Sequence, residues 1–166
     1  MSGLLSGLTG LLSLRSGPQD LPPAWPLTLG LIAAYLAASM TSGQQLGDES
    51  AAAKSLGVTA LQFTAVAILL YWRRYPERLV QTLGALAGVG LVFALISWVL
   101  LAQVDEAVNQ PVLALTWFAV FVWSLLVDAH IYRHAMSITL PQGILVAVLL
   151  LAATYVLIEF YALMGP

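Results

Sequence analysis

Five runs of mainly apolar residues dominate this chain, and each is long enough to cross a hydrocarbon core as a helix, which takes roughly 20 residues. They extend from about Trp25 to Ser42, Ala51 to Trp72, Leu79 to Ala102, Val112 to Ala129 and Ile144 to Met164. Apolar residues make up 60% of the 166 and charged ones only 8%, whereas about a quarter of a soluble domain is charged. The chain therefore reads as a membrane protein. A net charge of -2 gives no basic footprint for nucleic acid, and the absence of cysteine removes disulfides, thiolate metal sites and cysteine nucleophiles together. Membrane strands would alternate apolar and polar over about ten residues, and Leu145-Val146-Ala147-Val148-Leu149-Leu150-Leu151 does not alternate. The fold class expected is all-α, a polytopic bundle of five transmembrane helices.

All eight prolines lie outside the interiors of the runs. Pro26, Pro111 and Pro141 stand at or just before helix starts, where the missing backbone donor has no partner to lose. Gly47-Asp48-Glu49-Ser50 and Asn109-Gln110-Pro111 supply capping chemistry ahead of spans two and four.

The few cations set an orientation, because short cytoplasmic loops are enriched in Lys and Arg. Arg15 precedes span one, Arg73, Arg74 and Arg78 lie between spans two and three, and Arg133 with His130 and His134 lies between spans four and five. The alternate loops carry Asp48, Glu49, Asp105 and Glu106 without an arginine. An odd number of spans then puts the N-terminus in the cytoplasm and the C-terminus outside. Lys54, near the outer end of span two, can snorkel. Trp25, Tyr71, Trp72 and Tyr132 are expected as inner interface anchors, and Trp98, Phe160 and Tyr161 as outer ones.

Residues 1–24 form a separate amphipathic segment and elbow ahead of the bundle at 25–166. Leu4, Leu5, Leu8, Leu11 and Leu12 recur at helical spacing with Ser2, Ser6, Thr9 and Ser13 between them, which predicts a short helix lying on the cytoplasmic interface. It lacks a positive n-region, so a cleaved signal peptide is not expected.

This leucine-rich start, followed by Leu14-Arg15 and Pro18-Gln19-Asp20-Leu21, and five compact spans with a Trp-rich fourth ending in His130, Arg133, His134 and Ala135, resembles the small bacterial inner-membrane proteins grouped with the Yip family. The resemblance covers most of the chain and rests on architecture and short local words. It implies a five-helix membrane adaptor without catalytic residues; the eukaryotic members bind Rab-type GTPases in membrane traffic.

Ionisable groups within or at the ends of spans are costly, which makes each a candidate site. Asp128 is expected to pair with Arg73 or Arg74 and tie span four to span two. Glu159, about one turn inside the outer end of span five, reads as the most deeply placed acid, paired with Lys54 or titrating with a raised pKa. His130 and His134 share a helix face and could present two nitrogens to a metal, but no third ligand is near, so neither a metal nor another cofactor is expected. Gly84-x-x-x-Gly88 in span three and Gly30, Ala34 and Ala38 in span one are small-residue stripes for close helix packing, more naturally within the chain than between copies.

No nucleophile and base are matched anywhere, and an enzyme is not expected. The first reading is a non-catalytic scaffold, adaptor or accessory subunit that recognises lipid or another membrane protein, or a second copy, through its helix faces. Arg73, Arg74, Arg78 and Arg133 would meet anionic headgroups or a partner. The alternative is an oligomeric transporter of a proton, ion or small solute that uses Glu159 and Asp128. Hydration separates the two, since a transporter places its charges on a water-accessible cavity and an adaptor buries or pairs them.

Overall fold

A computed structural model describes residues 2–45, 47–105 and 108–164; Glu106 of the expected acidic loop lies outside them. The described residues form six α-helices and no strand: α1 (Ser2–Leu12), α2 (Trp25–Gln45), α3 (Ala51–Trp72), α4 (Leu79–Leu101), α5 (Pro111–Met136) and α6 (Leu140–Met164), with single 3-10 turns at Pro18–Asp20 and Pro76–Arg78. Helices α2 to α6 are each long and apolar enough to cross a membrane. The chain is an integral membrane protein of five such helices preceded by a short N-terminal one.

The largest departure from the expected boundaries is α5, which continues about two turns past Ala129. Polar side chains do not end a helix whose backbone groups bond within it. The end comes at Ser137, which takes the left-handed conformation at φ 52°, while Ile138 N–H donates to the Arg133 carbonyl. Arg74, at φ 66°, closes α3 in the same way, with Tyr75 N–H donating to the Leu70 carbonyl.

The long helices close into a ring, α2 against α4, α4 against α5, α5 against α6, α6 against α3 and α3 against α2. Helix α4 is the most buried of them. Its small face lets α2 approach: a Cβ on Gly84 would stand 2.9 Å from Thr28 Oγ1, and that hydroxyl donates to the Val80 carbonyl at 3.1 Å. Leu29, Ile68, Phe118 and Leu149 point outward, as lipid-facing residues should.

Helix α1 packs on the bundle at depth rather than leaving its leucine face to a headgroup layer. Leu11 is fully buried, and a Cβ on Gly88 would meet Leu8 Cδ2 at 2.6 Å. Trp123 Nε1 donates to the Leu12 carbonyl at 3.0 Å, a level about 20 Å along α5 from its Met136 end. From there the non-helical elbow returns toward the arginine-bearing end of the bundle, and protein groups satisfy its backbone, as they must for non-helical chain packed among membrane helices. His130 Nε2 donates to the Ser16 carbonyl at 3.0 Å, and Gln81 Nε2 donates to those of Gln19 and Leu21 at 3.1 and 2.8 Å.

Trp123→Phe removes the donor to Leu12 while keeping most of the ring. It is expected to weaken the seating of α1 by about 1 kcal/mol, read as faster amide exchange in residues 2–16 with the exchange of α4 unchanged.

Candidate functional site

A group of polar residues from the spans converges inside the ring, while others such as Thr41, Thr116 and Glu159 are exposed. On α5, Ser124, Asp128 and Tyr132 recur every four residues and share one face. Tyr35, Ser39 and Ser42 form such a stripe on α2, and Gly90, Phe93, Ala94 and Ser97 one on α4; these two faces and Ser124 and Asp128 border a cavity of about 320 Å³. A second cavity, of about 160 Å³, lies between α5, α3 and α6, where Gln62, Tyr132 and Thr154 face it. Ser124 and Asp128 border both. All five long helices thus line one or the other of two adjacent cavities, together the chamber, with Ser124 and Asp128 in the wall of both.

The chamber is asymmetric along the bundle. Ser42 and Ser97 lie about one turn from the ends of α2 and α4 that carry the acidic loops, so its lining reaches that side. On the other side Asp128 is followed by Tyr132, fully buried and held by the Gln62 amide at 3.0 Å. Beyond it Val66, Leu70, Ile131 and Met136 form a tight apolar plug.

Asp128 has no cationic side chain within 4 Å among the described residues, where the one ion pair joins Lys54 to Asp48 at 2.8 Å. Tyr35 lines the larger cavity with Asp128, and Tyr132 the smaller. The expected pair with Arg73 or Arg74 is not formed. With α5 extended to Met136, Asp128 lies about 12 Å up the helix from that end, whereas both arginines are exposed at the end of α3 and Arg73 Nη2 reaches only the Met136 carbonyl, at 3.5 Å.

The Glu159–Lys54 pair is absent for a similar reason. Lys54 turns to its local neighbour Asp48, and Glu159 stands on the exposed face of α6 beside Tyr155. Asp128, not Glu159, is the deeper acid. Outside the spans, Asp48 is held below the usual carboxylate range, first by the hydrogen bond from Lys54 and then by that from Ser50. Its contribution is present above the ordinary Asp pKa and is lost as pH falls through the lowered one. Exchange at the Ser50 and Lys54 amides is expected to stay slow down to that range and rise below it, and Asp48→Asn should remove the transition.

Arg78 serves the protein instead of the headgroups. Its Nη1 donates to the carbonyls of His134 and Ala135 at 3.0 and 3.1 Å and to Ser137 Oγ at 2.8 Å, and its guanidinium lies 4.2 Å from the centre of the Tyr75 ring. A cation at a helix C-terminus also faces the negative end of the helix dipole. Arg78→Ala is expected to cost about 2 kcal/mol, with Arg78→Lys recovering only part because an ammonium lacks the planar face that lies over Tyr75; unfolding in detergent micelles measures both. Arg133 remains exposed, as do Arg73 and Arg74.

His130 is buried against the elbow, with the His134 ring 4.5 Å away. Among the described residues no group of three or more His, Cys, Asp or Glu could hold a metal. Gly84 and Gly88 pack within the chain, against Thr28 and against Leu8 and Leu31. Gly30 and Ala34 face outward and Ala38 is half-buried, so α2 meets α4 through Thr28, Leu31 and Tyr35 instead. Tyr132 is a buried chamber residue rather than an interface anchor, while Trp25, Tyr71, Trp72, Trp98 and Phe160 are exposed as anchors must be.

No protein-family model, curated protein or solved structure matches this chain.

Proposed function

We propose that this protein binds and passes a proton or small cationic solute through its helix ring, with Asp128 as the binding group. One observation carries this reading: a carboxylate without a cationic side-chain partner stands where both cavities meet, among hydroxyls contributed by the surrounding helices. Intramembrane acids on a cavity mark ion and solute pathways, and a scaffold gains nothing from one. Glu159, exposed on α6, lies outside this route. The arginine-rich end is assigned to the cytoplasm by the positive-inside rule, which puts the N-terminus there and opens the chamber outward. The bacterial inner membrane follows from the Yip resemblance.

The test is hydration, and the chain has no native cysteine to interfere. Cysteine introduced at Ser97 and at Ser124 is expected to react with a membrane-impermeant thiol reagent added from the acidic-loop side, and cysteine at the fully buried Ala85 is expected not to. Protection of both Ser97 and Ser124 would remove the pathway.

A second reading, an adaptor docking another membrane protein or a second copy, is favoured by the exposed small face of α2 at Gly30, Ala33, Ala34 and Ala37. It agrees with the adaptor role that the Yip resemblance implies. Loss of a co-purifying protein on Gly30→Leu would support it.

A further inference from the structure

We infer that the chamber around Asp128 is a site for an organic ammonium group, that is, a protonated or quaternary amine carrying a small hydrocarbon part. The inference rests on the proposed role of Asp128 as the binding group and names the class of occupant.

Charge comes first. The chamber lining contains one carboxylate and no Lys, Arg or His, so its field selects a single positive charge. Divalent cations are poorly matched, because Ca²⁺ takes six to eight oxygen ligands at roughly 2.3–2.6 Å, several of them usually carboxylates. Here one acid stands alone, and no cluster of three or more His, Cys, Asp or Glu occurs among the described residues. Size comes second. A single water, or an ion of similar size, occupies about 30 Å³, and the cavity on the α2 and α4 side alone offers about 320 Å³.

The character of the walls supplies the third constraint. Tyr35 and Phe93 line the larger cavity, and Phe121 and Tyr132 the smaller, so aromatic rings flank Asp128 on both sides. Alkylammonium ions spread their charge over carbon-bound hydrogens that aromatic faces attract, and they lose less hydration on entry than a metal ion does. Phe93 is fixed for this role by its edge contact with Trp123, with centroids 5.0 Å apart and planes at 84°. The serine hydroxyls on α2, α4 and α5 can take the N–H donors of a primary amine, while the alkyl part lies along Gly90 and Ala94. An amine of this class could be a free solute or the headgroup of an aminophospholipid.

The experiment uses the full chain in nanodiscs of phosphatidylglycerol, with tetramethylammonium and butylammonium as probes and sodium and neutral tert-butanol as controls at constant ionic strength. Calorimetry is expected to show saturable binding of both ammonium probes and none of the controls. Asp128→Asn should weaken binding by more than about 30-fold, and Tyr35→Leu by about fivefold. Asp128→Glu should keep measurable binding, which separates loss of the charge from loss of the fold. Discs containing phosphatidylethanolamine distinguish the sources: competition with the probes assigns the site to a lipid headgroup, and unchanged affinity assigns it to a free amine. Ammonium bound no better than sodium, or bound equally by Asp128→Asn, overturns the inference. Thiol labelling of Ser97→Cys and Ser124→Cys together with Asp128-dependent proton flux, but no ammonium binding, leaves the proposed role standing without it. Loss of all three overturns both.

Discussion

Asp128→Asn is expected to reduce proton or cation flux in proteoliposomes to the level of protein-free vesicles, while Glu159→Gln leaves it near that of the unaltered chain. The contrast follows from placement. Asp128 borders both cavities at the centre of the ring, and Glu159 stands on the outward face of α6. Asparagine keeps the size and one oxygen of aspartate, so the packing of α5 is preserved and the charge alone is removed. A second readout should move in the opposite direction. Without a cationic partner within 4 Å, the carboxylate is a destabilising group in this setting, and its removal should raise the unfolding temperature. Loss of flux with gain of stability is the signature of a group retained for function. Unchanged flux in Asp128→Asn would take the chamber out of the function and leave the adaptor reading. A pH-sensitive dye trapped in the vesicles, with an imposed gradient, makes the measurement.

Gly143→Leu is expected to prevent α6 from docking on α5. A Cβ at this position would fall on the Ala129 carbonyl oxygen, with the Ala129 carbonyl carbon and Arg133 Cβ only 3.3 and 3.4 Å away. That carbonyl belongs to the α5 backbone and cannot rotate aside as a side chain could, so α6 must retreat bodily. Overpacking by a single methyl group typically costs about 1–3 kcal/mol, which sets the expectation for Gly143→Ala. Leucine adds branches where even the first carbon lacks room. It also uncovers Ala147 and opens the wall of the smaller cavity. The checks are loss of the monodisperse peak on size exclusion in mild detergent for Gly143→Leu and a lowered unfolding midpoint for Gly143→Ala. A folded Gly143→Leu protein of normal stability would contradict this α5–α6 contact. Gly30, where an added Cβ would meet nothing within 4 Å, provides the matched control: Gly30→Ala should be neutral or slightly stabilising.

The five membrane-crossing helices were legible because lipid imposes a length and an apolar composition that few other sequences meet. What the runs did not reveal was where α5 ends. His130, Arg133 and His134 read as a loop after a helix ending at Ala129, but the helix continues through them until Ser137 turns left-handed, and Asp128 therefore lies further from the arginines of α3 than expected. The chamber was legible in principle. Its signal is the three- and four-residue spacing of Tyr35, Ser39 and Ser42, of Ser124, Asp128 and Tyr132, and the isolated Gln62, Ser97 and Thr154 in otherwise apolar runs. Most of these residues are uncharged, so the pattern shows in their spacing and not in the positions of charges.

Other roles depended on neighbours that sequence order cannot supply. The leucine and serine pattern of α1 suits a headgroup layer and the groove beside Gly88 equally well. Arg78 belongs to a basic loop by composition, yet it caps a helix 56 residues further on. Lys54 found its acid six residues away instead of across the bundle, because a local pair costs less ordering than a distant one.

The seating of α1 has a consequence for how the molecule is made. Its anchors, Trp123 and His130, follow Leu12 and Ser16 by 111 and 114 residues. During synthesis the N-terminal leucines leave the ribosome long before the groove that receives them exists. They must wait at a membrane surface while four helices are threaded, and they enter only after α5 has joined α4. Residues translated early are therefore among the last to reach their final place, because the contacts of Leu12 and Ser16 close only after α5 has been inserted.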